Sequence, residues 1–302
     1  MVPLTCVGLM TMAMPALAQY SADSEALEPS SPSAPAGQLQ FGAGFGYRAD
    51  ADIDKGGKSS EVAVRTTASG HYSLNDQFRL GMLMSYQHSY YDFSGSGRPD
   101  NGVDVNLFRV TPLLQYTVDE NWSVYGGPSF SYAGENGAEF GDSLTGGGLA
   151  GFNYRVDETL TLGAGFGIFS QIEDDVSVVP LVTLNWQFDE KWNWKIGFSE
   201  VAANGGLGTE IAYSLGKDWK VGGGVQFTKK RFRLSNDGVA EDKNVPIYAK
   251  LAWQACENGS LELVAGITAG GQYRVENSNG HKLYESDYDA SALVGLRGVF
   301  KF

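Results

Sequence analysis

The sequence predicts an all-β fold: a transmembrane antiparallel β-barrel of about fourteen strands. Three observations support this prediction. Apolar residues alternate with polar or small ones along most of the chain, short turns alternate with longer loops, and tryptophans gather beside the short turns. Alternation with a period of two is typical of strands whose two faces meet different surroundings. Aromatic residues make up 12% of the chain and Gly accounts for 40 of its 302 residues, which suits an apolar band around a lumen of small or polar side chains.

The first part of the chain is predicted to lie outside the barrel. Residues 1–18 hold an apolar stretch that ends in Ala16-Leu17-Ala18, the cleavage pattern of a secretory signal peptide. No Lys or Arg precedes Arg48, so the basic start of such a peptide is missing and the true start is expected upstream. Residues 19–37 are rich in Ser, Pro and Ala, which predicts a disordered periplasmic leader. The barrel is expected over residues 38–302.

Fourteen segments of the barrel region alternate in the manner of strands. They are residues 38–48, 61–73, 77–91, 103–117, 122–133, 143–155, 159–170, 176–188, 192–200, 205–215, 219–232, 245–255, 260–275 and 288–302. Six tight turns and seven longer polar loops separate them. This is the pattern of an even-numbered barrel with both termini in the periplasm.

The tryptophans indicate where the membrane surface lies. Five of them are within a few residues of a short turn: Trp122, Trp186, Trp192, Trp219 and Trp253. Amphipathic rings prefer the headgroup layer, so this grouping predicts an aromatic girdle at the periplasmic interface. The alternative is ordinary aromatic clusters in the core of a soluble β-sandwich, which the grouping at one class of turn disfavours.

The last predicted strand resembles the closing strand of a bacterial outer-membrane barrel. Its even positions, from Tyr288 to Phe302, are mostly apolar and predict a lipid-facing side, whereas its odd positions would face the lumen. Phe300 and Phe302 match the aromatic pair of the signal that the barrel assembly machinery recognises. The resemblance implies that this machinery is a partner and that Phe300 and Phe302 form the assembly signal.

Three further passages extend the resemblance to most of the mature chain. They are residues 108–114 (FRVTPLL), residues 178–186 (VVPLVTLNW), and the pair 196–198 and 231–234. Together they resemble a porin-like family of bacterial outer-membrane β-barrel proteins of about 300 residues whose function is unknown. The resemblance implies the fold and a location in the bacterial outer membrane, and it implies no activity.

The predicted inner face carries more basic than acidic side chains. The basic set is Arg48, Arg65, Arg79, Arg109, Arg155, Lys195, Lys220, Lys230, Lys250, Arg297 and Lys301, and the acidic set is Asp104, Glu210, Glu262 and Asp289. One hypothesis is a cationic pore wall that favours small anions. The other is that these long side chains fill the lumen and pair with carboxylates or carbonyl groups, because buried charges need partners.

Two local features complete the sequence-based predictions for the barrel. Lys229, Arg231 and Arg233 share one face at the extracellular end of a strand, where they would contact lipopolysaccharide phosphates. The alternative is a solvated strand end. Pro112 and Pro180 interrupt predicted strands, so bulges or bends are expected at both positions because proline lacks a ladder donor.

The leading functional hypothesis is a porin-like channel for passive diffusion of small polar or anionic solutes. The alternative is a structural or surface-interaction barrel with a closed lumen. A membrane hydrolase ranks third, because none of the three His residues shares a strand face with Ser and an acid near the outer rim, so no enzyme is predicted. The sequence indicates no metal or cofactor. Expected partners are membrane lipid, lipopolysaccharide and small solutes, and a net charge of -13 excludes nucleic acid.

Overall fold

The protein is described here by a computed structural model, which covers residues 37–95, 102–201 and 203–302, without the side chains of Asp174, Asp175 and Glu200. The predicted signal peptide and nearly all of the predicted leader lie outside these residues. No helix among the described residues is long and apolar enough to cross a membrane.

The described residues form fifteen strands and one short 3-10 turn, Gly141–Ser143. The strands are β1 (Gly37–Asp52), β2 (Lys58–Ser73), β3 (Phe78–Ser94), β4 (Val103–Thr117), β5 (Trp122–Glu135), β6 (Leu144–Arg155), β7 (Leu160–Gln171), β8 (Asp174–Trp186), β9 (Trp192–Val201), β10 (Asn204–Ser214), β11 (Trp219–Arg233), β12 (Val239–Cys256), β13 (Gly259–Glu276), β14 (Lys282–Tyr288) and β15 (Ser291–Lys301).

The strands close into one antiparallel barrel. From β1 to β14 each strand pairs with the next one in sequence, and β15 pairs with β13 and with β1 to seal the ring. β14 and β15 pair with different halves of β13, so together they fill a single position in the wall. The barrel therefore has fourteen positions, which confirms the predicted fold class and strand number.

The alternation of apolar residues sets the two faces of the wall. On β3, Leu80 and Met82 point outward and are 45% and 42% exposed. Leu83, the next residue, points inward and is 7% exposed. The closing strand behaves as predicted from Leu293 onward, with Leu296 exposed and Leu293 buried. Tyr288 differs from its prediction, because it is buried instead of lipid-facing. The reason is that the strand is interrupted after Tyr288, so β14 and β15 do not share one alternation.

One rim of the barrel holds the short turns and the aromatic girdle. The turns are 74–77, 118–121, 156–159, 187–191, 215–218 and 257–258, and this end is called the short-turn rim. Acidic residues shape the turns, as when the Asp119 carboxylate accepts hydrogen bonds from the backbone N–H groups of Asn121 and Trp122, both at 2.8 Å. Trp219 stacks on Trp253 across a strand pair with centroids 5.8 Å apart, which confirms the predicted grouping. The opposite end is called the hairpin rim.

A bulge or a bend was expected at Pro112 and Pro180, and the bulge is wrong at both, because the ladder register does not shift at either proline. Pro112 would lie opposite Pro128 in the β4–β5 register, and the ladder lapses there without a shift of register. Two facing prolines remove two donors, which accounts for a gap instead of a bulge. Pro180 keeps its register with Phe166 on β7, and it lies where β8 has no partner on its other side among the described residues. A proline is tolerated at such a local edge.

Candidate functional site

The outer half of β9 leaves the barrel wall. β8 and β9 pair only at Leu184–Ile196, Asn185–Lys195 and Trp186–Trp194, although both strands continue toward the hairpin rim. Gly197 follows the last pair and has a φ of 152°, a backbone conformation that favours glycine. β9 stays paired with β10 throughout. The two strand ends, residues 197–201 and 204–206, therefore leave the wall together and are called the inner hairpin.

The inner hairpin crosses the lumen. Val201 is 1% exposed and belongs to a buried cluster with Tyr248, Val264 and Leu293, which line the far side of the barrel. Asn204 reaches β3, where its side-chain oxygen accepts a hydrogen bond from the Gln87 amide at 3.0 Å. These contacts place the hairpin tip across the axis of the barrel, where it narrows the lumen.

The place that the inner hairpin vacates in the wall is closed by apolar side chains. Phe198 packs with Phe169, Val179 and Leu181 in one buried cluster, and Leu149 and Leu207 border it. Phe198 is 5% exposed. Between β8 and β9, as far as the structure describes them, the wall is therefore held near the short-turn rim by a backbone ladder and farther along by side-chain contacts.

A second hairpin covers the lumen at the hairpin rim. The ends of β11 and β12, residues 228–233 and 239–244, bend over the opening and are called the crossing hairpin. Arg233 makes a parallel bridge to Gly134 on β5, which lies six positions away around the wall. Phe232 and Val239 join the largest buried apolar cluster, whose other members are Ala51, Ile53, Tyr91, Val105, Ala133, Ile172, Tyr273 and Tyr288. This packing closes the mouth of the barrel.

Buried ion pairs fix the crossing hairpin. Lys229 contacts Glu241 at 3.0 Å and Lys230 contacts Glu61 of β2. Arg231 contacts Glu276 at 2.5 Å and donates to the backbone oxygen of Ile172 at 2.9 Å. Arg233 contacts Glu173 at 2.5 Å.

The predicted lipopolysaccharide contact of Lys229, Arg231 and Arg233 is wrong. Their exposed fractions are 7%, 1% and 3%, and their charges are matched by carboxylates within the protein. The prediction placed these three side chains on the outer face by alternation along β11, which holds only if the strand stays in the wall. The strand instead bends over the mouth, where both of its faces are covered.

Acid should loosen the crossing hairpin. Burial alone would raise the pKa of Glu241, but Lys229 and Lys243 beside it lower the pKa from 4.5 to about 2. This carboxylate therefore stabilises the closed mouth fully above about pH 4.5, and its contribution, on the order of 3 kcal/mol, is lost as the pH falls through about 2. Hydrogen exchange of the amides of β11, corrected for intrinsic rates, should show faster opening at pH 3 than at pH 6.

The same measurement on Glu241→Gln provides the control. This variant lacks the titrating group, so its exchange in β11 should depend less on pH. Equal protection of β11 at pH 3 and pH 6 in the unchanged protein would contradict the assignment. The amides of β6 serve as an internal reference, because none of its residues belongs to the ion pairs of the crossing hairpin named above.

Toward the short-turn rim, four of the predicted wall residues meet in one cluster. Lys250 contacts Glu210 at 2.6 Å and Glu262 at 3.8 Å, and Arg297 contacts Glu262 at 3.7 Å. The Tyr248 hydroxyl donates to Glu210 at 3.0 Å. Two cations and two carboxylates compensate one another here, as the pairing hypothesis expected, and they do not form a cationic ring.

The other predicted wall cations are separate from this cluster. Arg48 is buried and donates to the Tyr273 hydroxyl at 2.5 Å. Arg65 donates to Gln87 at 3.2 Å and Arg109 to Ser131 at 2.9 Å, and both line a chamber beneath the crossing hairpin. The remaining cations lie at inward positions nearer the short-turn rim: Arg79, Arg155, Lys195, Lys220 and Lys301.

Two predicted acidic wall residues lie elsewhere. Asp104 is 40% exposed on the outer face, where it pairs with His88 at 3.2 Å. Asp289 is exposed and lies outside the strands. The face of Asp104 was misassigned because β4 carries apolar residues on both faces near the hairpin rim, where Val105 and Leu107 join the buried cluster of the mouth.

Sequence reasoning missed the inner hairpin and its contacts, above all Phe198, Val201 and Asn204. Two signals pointed to it. Residues 176–182 are apolar on both faces except at Ser177, which indicates a strand covered on both sides. Residues 203–208 contain three glycines and a positive-φ Ala203, which permit a close approach of backbone inside a barrel.

Comparisons with known proteins agree with this architecture. The family described as outer membrane protein beta-barrel domain matches residues 4–199, and a domain of unknown function, DUF6268, matches residues 118–297. No curated protein matches the chain.

Several solved structures share the fold at low sequence identity. The COG4313 outer membrane channel from Pseudomonas putida F1 has 12% identity and a TM-score of 0.52, covering 91% of this chain and 99% of its own. A Pseudomonas aeruginosa FadL homologue has 11% identity and a TM-score of 0.51, covering 94% and 99%. The Ralstonia pickettii toluene transporter TbuX has 11% identity and a TM-score of 0.51, covering 96% and 97%.

Proposed function

The chain belongs to the outer membrane protein beta-barrel domain family and lies in the bacterial outer membrane, and on this premise we propose that it is a gated channel for small hydrophobic compounds. In this proposal the short-turn rim faces the periplasm and the crossing hairpin faces the cell exterior. A compound enters when the crossing hairpin opens, and it leaves the lumen sideways between β8 and β9.

The observation that supports the proposal is the unpaired stretch of wall beside a buried apolar cluster. Hydrocarbon-like compounds gain by leaving water for an apolar environment, and the cluster around Phe198 offers one inside the barrel. On the other side of the same stretch lie outward valines such as Val178, which is 63% exposed. A compound that displaces Phe198 would therefore move from an apolar cluster to lipid without crossing a polar surface.

Two observations disfavour free diffusion of polar or anionic solutes along the axis. The crossing hairpin closes the mouth and the inner hairpin narrows the lumen below it. Lys250 and Arg297, which the anion hypothesis needs as unpaired charges, face Glu210 and Glu262. One structural neighbour, TbuX, is a toluene transporter, which agrees with a hydrophobic substrate, although a likeness at 11% identity supports the fold alone.

The test is entry of an apolar dye that fluoresces in membranes, 1-N-phenylnaphthylamine, into Gram-negative cells that carry the protein. Phe198→Ala removes one of the two phenylalanine rings of the wall cluster, so dye entry should rise severalfold over the unchanged protein. Phe166→Ala is the matched control, because Phe166 is 53% exposed on the outer face of the neighbouring β7. It should leave dye entry unchanged at equal amounts of folded protein.

Uptake of a small sugar and of a small anion is measured in parallel. Faster dye entry without faster sugar or anion entry supports the proposal. If Phe198→Ala speeds the sugar or anion and not the dye, the polar channel is the better description. If none of the three solutes enters faster through the unchanged protein than through cells without it, and Phe198→Ala changes nothing, a structural or surface-interaction barrel replaces the channel.

A further inference from the structure

We propose that the inner hairpin occupies two positions. One is the lumen position seen in the structure, and the other is a wall position in which β9 continues its ladder with β8. This inference rests on the proposed lateral passage, because it describes how that passage is opened and sealed. Four observations lead to it: an unused strand edge, a matching register, a hinge, and a small set of replaceable contacts.

The unused edge lies on β8. Among the described residues, positions 177–183 have ladder partners on β7 but none on the β9 side. An open edge leaves backbone donors and acceptors without ladder partners, which is costly in a membrane. The edge is therefore a ready site for another strand, and the nearest strand is the displaced end of β9.

The register of the existing ladder predicts how β9 would return. The pair Leu184–Ile196, continued two residues at a time, brings Val182 opposite Phe198 and then Pro180 opposite Glu200. Val179 would lie opposite Val201, although these two residues now belong to separate clusters. In the wall position Phe198 would follow Trp194 and Ile196 on the lipid-facing side, so its ring would exchange one apolar environment for another.

The hinge is built from two glycines. Gly197 and Gly208 are directly opposed in the β9–β10 pair, and Gly197 has the positive φ that favours glycine. The β10–β11 ladder starts at the same level, with Leu207 opposite Phe227. Both strands of the hairpin can therefore turn at one height without disturbing the ladders nearer the short-turn rim.

Among the side chains that the structure describes, the polar contacts that hold the lumen position are uncharged. Asn204 accepts a hydrogen bond from Gln87, and the Gln226 amide donates to the backbone oxygens of Ser199 at 3.2 Å and Asn204 at 3.1 Å. The side-chain oxygen of Gln226 is buried without a hydrogen-bond partner. In the wall position the backbone hydrogen bonds of a β8–β9 ladder would replace these side-chain hydrogen bonds. Both kinds are uncharged, so the two positions differ little in hydrogen-bond energy.

The two positions open different routes. With the hairpin in the lumen, the axis is narrowed and the described side chains that close the unpaired stretch of wall are those of the cluster around Phe198. With the hairpin in the wall, the ladder seals the side of the barrel and the lumen beneath the crossing hairpin widens. The inner hairpin would thus permit the lateral route and the axial route one at a time.

Paired cysteines test both positions in a Cys256→Ser background. Val179→Cys with Val201→Cys reports the wall position, since directly opposed residues of antiparallel strands are close enough for a disulfide. Val201→Cys with Leu293→Cys reports the lumen position and is joined by a short bifunctional thiol reagent. Val178→Cys with Val201→Cys is the matched control, because Val178 is one residue out of register on the opposite face.

We expect cross-links in both reporting pairs and none on oxidation of the control pair, all in folded, heat-modifiable protein. Oxidising the wall pair should lower apolar dye entry severalfold, and a reductant should restore it. Leu181→Cys with Ser199→Cys is a second wall pair in case the first variant fails to fold. If the lumen pair links and neither wall pair does, the inner hairpin has one position and the inference is overturned.

The cross-links also separate this inference from the proposed function. If a wall pair links and dye entry does not change, the two positions exist and the lateral passage is wrong. If dye enters through Phe198→Ala while no wall pair ever links, the lateral passage stands and the second position does not exist.

Discussion

Replacing Arg231 with alanine should open the mouth of the barrel. Arg231 is 1% exposed, contacts Glu276 and Glu241, and ties the crossing hairpin to the backbone of Ile172. Glu276 keeps Arg274 at 2.7 Å and Glu241 keeps Lys229 and Lys243, so the substitution removes charge-assisted hydrogen bonds without leaving a carboxylate unpaired, at a cost of about 1.5 to 3 kcal/mol. If this cost falls on the closed state alone, the open fraction should rise roughly 10- to 100-fold.

The opening can be measured as labelling of a thiol beneath the crossing hairpin. Ser85→Cys in a Cys256→Ser background places that thiol in the chamber, and a membrane-impermeant maleimide is added to intact cells. Lys282→Ala is the matched control, because the Lys282–Glu285 pair is exposed and such pairs contribute little. Arg231→Ala protein that is folded yet labels no faster than the unchanged protein would show that the crossing hairpin is held by other contacts.

Replacing Phe302 with alanine should sharply reduce the amount of protein in the outer membrane. The Phe302 N–H donates to Leu39 at 2.8 Å, and its ring meets Phe41 edge-on at 5.7 Å and Phe300 at 4.8 Å. These contacts lie on the seam between β1 and β15, where the barrel closes. The same aromatic is also the predicted assembly signal, so both closure and recognition by the assembly machinery would suffer.

Membrane fractionation with a heat-modifiability gel measures the effect. Tyr72→Ala is the matched control, because Tyr72 is another exposed aromatic near the short-turn rim but is not on the seam. Phe302→Trp, which keeps an aromatic ring, should accumulate close to normal levels. Normal accumulation of Phe302→Ala would remove the support for Phe302 as an assembly signal.

The wall of the barrel was predictable because its determinants are local. A strand in lipid must alternate, and tight turns need residues such as Asp119 whose side chains bond their own backbone. Strand alternation and turn residues can both be recognised in short stretches of sequence. The fourteen positions and the grouping of Trp219 with Trp253 follow from them, and the structure confirms both.

The contents of the lumen were not predictable because they depend on where strands leave the wall. Alternation assigns a side chain to a face only while its strand has neighbours on both sides, and β9 and β11 lose that condition near the hairpin rim. Arg231 was therefore assigned to the outer face, although it is among the most buried residues. The partner of Lys230, Glu61, is 169 residues away, and no pattern within one strand connects them.

That separation also bears on the order in which the molecule assembles. Contacts between distant residues form late, because a long stretch of chain must first be ordered. The crossing hairpin, built from β11 and β12, contacts β2, β5 and β13, and β2 is joined to β13 in the wall only through the seam between β1 and β15. A newly inserted barrel should therefore pass through a stage with a complete wall and an open mouth. During that stage solutes could pass through the open mouth of the barrel. The time that the crossing hairpin takes to dock would set how long this passage stays open.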